Sequence, residues 1–265
     1  KTTILTKIAN SALEDGKNVL QIVFEDTDDE IRRKHYALWS KIPLSEINDR
    51  KDEAEQIVSD HVKNINNKLI IKRFDEDETT IVDIKNWMDT YQKKFGVKFD
   101  MVVLDYIDCL EPHKTAVDQN QVELSIIKYF ISMAGKYNIP MWTAVQANRS
   151  GFNAEFVDQT QMGGNIKRAQ KSHLLMSVAK SQEQKRSGLA NIQLLKARFA
   201  PDGFTFKDCI FNNDTMEIRI TDTVPKTRRL NVDNDPEKLE NKINNHVQQS
   251  KEMFDKNEIK DLLNE

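Results

Sequence analysis

The chain opens on a helical period. Ile4, Leu5, Ile8, Ala9, Ala12 and Leu13 fall on one helix face, and Asp15-Gly16 supplies a stop. The run Val19-Leu20-Gln21-Ile22-Val23-Phe24 then predicts a buried strand, and Glu25 to Asp29 a short charged turn. A helix is predicted over Glu30 to Ser40, and Pro43 opens another that carries Ile47, Ala54, Ile57, Val58, Val62 and Ile65. Leu69-Ile70-Ile71 reads as the next strand. Thr79 or Thr80 can cap a helix bearing Ile81, Ile84, Trp87, Met88 and Tyr91, which ends at Gly96. Phe99 to Tyr106 is again a continuous apolar strand with Asp105 at its carboxyl end, the pattern of a central parallel strand.

From Glu111 to Gln119 the chain is polar. Val122, Ile126, Ile127, Phe130, Ile131 and Ala134 then mark an amphipathic helix that stops near Tyr137-Asn138. Met141 to Val145 is a further buried strand, followed by Gln146-Ala147-Asn148-Arg149, and Ser150 to Asn165 reads as a long loop. Leu174 to Ala179, Ala190 to Lys196, Phe204 to Phe211 and Met216 to Ile220 predict short strands. They are joined by turns at Arg186-Ser187-Gly188, Pro201-Asp202-Gly203 and Asn212-Asn213-Asp214. The expected class is α/β: a mostly parallel, helix-flanked sheet extended by antiparallel C-terminal hairpins, with ligands at the carboxyl ends of the parallel strands. Residues 1–224 make one domain on this reading. Residues 225–265 form a charged tail in which Leu239, Ile243 and Val247 share a helix face, either solvated or docked on a partner.

Composition narrows the function classes. The 265 residues carry a net charge of −3, so any contact with nucleic acid must be local rather than a global basic field. Cys109 and Cys209 are the only cysteines, which excludes a zinc cluster and fits a reducing, cytosolic setting. There is no apolar run of about 18 residues and no signal-peptide pattern, so a soluble, non-secreted protein without a membrane partner is expected.

The chemistry gathers at strand ends. Glu25 follows Phe24, Asp105 follows Leu104 and Gln146 follows Val145, all on the face where ligands are expected. In nucleotide hydrolysis one carboxylate can hold magnesium through water, another can orient or deprotonate the attacking water, and an amide can sense the γ-phosphate. Each acid alone is only a polar strand end. Lys1-Thr2-Thr3 adds the last two positions of a P-loop, G-x-x-x-x-G-K-S/T, with the lysine on the outer phosphates and the hydroxyl on magnesium, although the same tripeptide also opens ordinary helices. The chain begins without Met and inside a helical pattern, so a preceding strand and glycine-rich turn are expected.

In that order these residues resemble the hexameric replicative DNA helicases of the DnaB type, which have a RecA-like P-loop motor domain, and most closely those of T4-like bacteriophages. The resemblance spans about Lys1 to Ile220. Lys1-Thr2-Thr3 is similar to the end of the Walker A motif, Val23-Phe24-Glu25 to the strand bearing the catalytic base, and Leu104-Asp105-Tyr106-Ile107 to Walker B. Gln146-Ala147-Asn148-Arg149 resembles the family's Q-x-N-R motif, and Gly163-Gly164-Asn165-Ile166 the G-S-I segment that closes a DNA-binding loop. Lys196-Ala197-Arg198 is similar to the K-x-R element that reaches a neighbour's nucleotide. Two departures stand out. Val23-Phe24-Glu25-Asp26 replaces the usual Ser-Leu-Glu-Met, and Gln161 or Met162 stands where an arginine often precedes the G-S-I segment.

The resemblance implies ATP (or another NTP) and Mg2+ as cofactors, with Lys1, Thr2, Thr3, Lys196 and Arg198 on nucleotide and Thr2 and Asp105 on the metal. Catalysis falls to Glu25, Gln146 and Arg198, and single-stranded DNA to Arg149, Gly163, Gly164, Asn165 and Lys167, with added charge from Arg168. Arg198 cannot easily reach Lys1 within its own sheet, so it would act on the next subunit of a ring, as an arginine finger does. A hexameric ring, primase and other replisome proteins are the implied partners, in the cytoplasm of a bacterial host. Two rivals remain open: a RecA-class recombinase, against which Q-x-N-R and the Lys196-x-Arg198 spacing speak, and a regulatory or incomplete ATPase that serves as an interaction module.

Overall fold

Strands β1 (Val19–Val23) and β3 (Met101–Asp105) form the centre of a four-stranded parallel sheet, completed by β2 (Leu69–Arg73) and β4 (Met141–Thr143) in the order β2-β1-β3-β4. The structure, a computed structural model, describes residues 1–63, 65–76, 78–112, 119–148, 155–158, 161 and 167–220, with the backbone alone at 119, 120 and 167. The expected tail helix and most of the expected 150–165 loop lie outside these residues.

Side chains alternate across a strand, and the alternation builds three layers. Leu20, Ile22, Phe24, Val102 and Leu104 face one side, where they pack with Ile84 and Met88 of α4 (Ile81–Phe95) and Ile126 and Phe130 of α5 (Gln119–Tyr137). Val19 and Val103 face the other, against Leu5, Ala9 and Leu13 of α1 (Thr2–Glu14). Gln21 shares that second face and is fully buried. Its amide donates to Thr6 Oγ1 (3.2 Å), so the oxygen it turns to His35 Nε2 (2.8 Å) acts as acceptor. His35, on α2 (Asp28–Ser40), is held neutral, because burial pushes its pKa down to about 3. The chain Thr6–Gln21–His35 therefore pins α1, β1 and α2 together with most of its polar groups paired.

Local signals set most boundaries. Thr27 and Glu30 form a capping box, which starts α2 two residues earlier than apolar periodicity indicates. Thr80 and Asp83 do the same for α4, and Gly96 ends that helix at φ +64° as expected. β4 stops at Thr143 rather than Val145 and is half-buried, and three larger departures from the sequence pattern occur elsewhere. No helix begins at Pro43: residues 44–50 form turns and α3 runs Lys51–Val62. The cause is long-range, since Asp214 accepts the N–H groups of Leu44 (2.8 Å) and Ser45 (2.9 Å) and the Ser45 hydroxyl, so these groups are satisfied without a helix. The expected turn at 186–188 closes a short helix, α7 (Gln182–Ser187), which Ser181 and Gln184 cap in a box. Between Met216 and Ile220 only Ile218–Arg219 (β8) is strand, because Met216 adopts φ +56° and its side chain is buried against Ala37, Ile42 and Ala54.

The remaining strands, β5 (Leu174–Ala179), β6 (Leu189–Ala197) and β7 (Phe204–Phe211), pair antiparallel with one another and with β8. Among the described residues this is a second four-stranded sheet, and no ladder joins it to the first. Ile4 of α1 packs on its Ala190, Ile192 and Phe211, so α1 spans both sheets. A short helix, α6 (Lys167–Lys171), precedes β5. No helix of the described residues is long and apolar enough to cross a membrane.

Candidate nucleotide site

The parallel register sets the site. Val23 lies beside Asp105 and Leu104 beside Thr143, so β1, β3 and β4 end abreast. Glu25 is then two residues past the end of β1, Gln146 three past the end of β4, and both are exposed. Strand parity turns Asp105 to the same side as Val103, toward α1. There the Thr2 hydroxyl meets its carboxylate. Asp105 is only 7% exposed, and burial pushes its pKa up, against the pull of Thr2 and Lys1.

Lys1 caps α1 with its backbone, accepting from Ile4 N (3.1 Å) and Leu5 N (3.2 Å). The N–H groups of Thr2 and Thr3 then open this 13-residue helix, the geometry that favours anions. The Lys1 ammonium lies over the Tyr106 ring, 3.1 Å from its centroid. The Tyr106 hydroxyl donates to Glu25 Oε1 (3.1 Å). Lys34 and Asp26 pair nearby, and Lys180, whose pKa burial lowers, donates to the Phe211 carbonyl (2.8 Å).

Two sets of donor side chains lie close enough together to meet a cation. Thr2 and Asp105 give a hydroxyl and a carboxylate in contact, which suits Mg2+ completed by phosphate and water. Glu25, Glu76 and Cys109 bring one ligand atom each within 4.8 Å of one another. That set mixes a soft thiol with carboxylates, and burial, reinforced by Glu76, pushes the Cys109 thiol up to about 12, so it does not match magnesium.

The other expected residues are dispersed. The Thr3 hydroxyl donates to Asn213 (2.9 Å) in the β7–β8 turn, which leaves its first-turn N–H as the group facing the helix end. Lys196 donates to the carbonyls of Ala169 (2.9 Å) and Gln170 (2.7 Å), and Arg198 to that of Gln170 (3.1 Å), so both cap the end of α6. In the β5–β6 ladder Asn191 pairs with Ala179 and Ala197 with Leu174. At about 3.4 Å per residue those ends are roughly 20 Å apart. Lys180 follows Ala179 at the α1 end, and exposed Arg198 stands at the other.

Arg168 is not the exposed charge expected beside Lys167. It is 6% exposed and paired with Asp108 and with Glu123 (3.3 Å), because α6 packs on α5. The side chain of Lys167, and Arg149, Gly163, Gly164 and Asn165, lie outside the described residues. The sequence pattern names Tyr106 only within a strand and the Walker B-like segment and Asn213 only within a turn, and it does not single out Lys34, Glu76 or Lys180. The available signal was a hydroxyl-bearing aromatic directly after the strand-end Asp105.

Comparison with known proteins bears on the fold and the family. No curated protein sequence matches the chain. Among solved structures, one described as an ATPase domain superposes with a TM-score of 0.70 at 16% identity, covering 83% of this chain and 80% of that one. A DnaB-like replicative helicase, described with its interactions with primase, gives 0.67 at 15% identity over 82% of this chain and 55% of its own. At such identities the likeness is one of fold, the RecA-like arrangement of a parallel core and an antiparallel sheet. The profile of the DnaB-like helicase C terminal domain matches residues 1–201, and the chain therefore belongs to the DnaB-like helicase C-terminal domain family.

Proposed function

We propose that this chain is the ATP-dependent motor domain of a replicative DNA helicase, of the kind T4-like bacteriophages carry, which moves along single-stranded DNA and separates duplex as a hexameric ring. The observation that carries the reading is the meeting of Lys1, Thr2, Glu25 and Asp105 at the carboxyl edge of the parallel sheet. Lys1 and the first-turn N–H groups of α1 bind the outer phosphates of ATP. Thr2 and Asp105 would hold Mg2+, which when bound neutralises phosphate charge. Glu25 orients the attacking water and accepts its proton, and Gln146 contacts the γ-phosphate. Lys196 and Arg198, roughly 20 Å along the ladder from the α1 end, complete a neighbour's site and make hydrolysis depend on assembly.

Segments after β3 and β4, with Arg149, Gly163, Gly164, Asn165 and Lys167, contact the DNA backbone without reading bases. Residues 1–224 act as the motor and 225–265 as a segment available to partners such as primase. The test is strand separation by the complete protein on a forked duplex with ATP. Unwinding that stops with a non-hydrolysable analogue is expected. An ATPase stimulated by single-stranded DNA yet unable to unwind under any loading condition would overturn the helicase reading.

A further inference from the structure

We propose that Tyr106 is a positioning residue that ties the Lys1 ammonium and the Glu25 carboxylate into one unit, giving phosphate capture and water activation a common support. The inference rests on the ATPase reading of the site. Lysine carries its charge on a flexible four-carbon stem, and exposed glutamate samples several rotamers, so neither is placed by its backbone alone. Tyr106 constrains both. Its ring faces Lys1 Nζ at 3.1 Å, well inside the range of cation–π attraction, and its hydroxyl fixes Glu25 Oε1, which leaves Oε2 free to accept from a water.

Tyr106 is itself well anchored. It follows the buried end of β3, its carbonyl accepts from Cys109 N (3.1 Å), and Ile107 and Cys109 of the next short turn are buried. Its hydroxyl is the donor in the pair, since a carboxylate oxygen only accepts. A lysine over the ring and a glutamate at the hydroxyl of one tyrosine share a rigid reference, and catalysis is sensitive to misplacement of that kind.

The two arms separate by substitution in the complete protein. Tyr106→Phe keeps the ring and removes the hydroxyl, and the expected result is a kcat about tenfold lower with KM and fluorescent-ADP affinity within twofold. Tyr106→Leu removes the ring too and is expected to weaken ADP affinity about fivefold. On a Glu25→Gln background, Tyr106→Phe should cost less than twofold, because both changes act through one group. Normal kcat in Tyr106→Phe, or its full loss repeated on the Glu25→Gln background, overturns the positioning role while leaving the ATPase reading intact. A complete wild-type protein that neither binds nor hydrolyses ATP overturns both.

Discussion

At the carboxyl edge of the parallel sheet, Lys1, Thr2, Glu25, Asp105 and Tyr106 meet within one chain, whereas Lys196 and Arg198 stand at the far end of the β5–β6 ladder, tied to α6. The first region is assembled along one sheet edge. Parallel register aligns the strand ends, side-chain alternation aims Asp105 at α1, and a helix start supplies the N–H groups. The second region has matching chemistry and no nucleotide group of its own to act on. In the proposed ring, a split of this kind would make the site of one subunit complete only with the charge of the next and so couple hydrolysis to assembly.

The strongest way to break the comparison is Arg198→Ala. The expected outcome is a fall in kcat of about a thousandfold with nucleotide affinity within threefold, as for removal of an arginine finger. Mixing Arg198→Ala subunits with Glu25→Gln subunits should restore part of the ATPase, since one partner contributes Glu25 and the other Arg198 at shared interfaces. Loss of nucleotide binding in Arg198→Ala, or no recovery on mixing, would place the arginine in its own subunit's site or fold.

The second region can also be loosened from beneath. Arg168→Ala leaves Asp108 and Glu123 without their shared partner and is expected to lower stability by about 3 kcal/mol, read from urea unfolding. Because α6 supplies the carbonyls that hold Lys196 and Arg198, ATPase should fall before fluorescent-ADP binding does. Equal loss of both would mean that α6 supports the whole fold rather than the second region.

A smaller effect sharpens the first region. His35 is neutral in the fold with a pKa of about 3, against an ordinary value of 6.5, so the unfolded chain binds the extra proton in that window. Its contribution is full above about pH 6.5 and is lost as pH falls toward 3. Between pH 7 and pH 5 the expected loss is about 2 kcal/mol. Urea midpoints of wild type and His35→Gln across that range check it, and equal pH slopes would exclude His35 as the source.

The apolar runs of β1 and β3 were readable because a strand buried on both faces leaves few polar positions, and Asp105 marked its own strand end. The start of α3 was not readable, because Asp214, far along the chain, captures Leu44 and Ser45. Arg168 looked like a solvated charge until α6 met Asp108 and Glu123, since sequence spacing carries no information on such pairings. That Lys1, Thr2, Glu25 and Asp105 share one sheet edge was legible in their order along the chain. The place of Tyr106 between Lys1 and Glu25 was not.

The sequence by itself determined which segments are helix or strand in the parallel core, and which polar residues close its strands, because periodicity and capping act over a few neighbouring residues. Only the tertiary structure decided that the antiparallel strands form a sheet of their own, that Thr3 is spent on Asn213, and that Lys196 and Arg198 cap the end of α6. Those facts depend on how distant segments pack. Burial, hydrogen-bond partners and charge pairing between them are set by three-dimensional proximity, which a linear pattern does not encode.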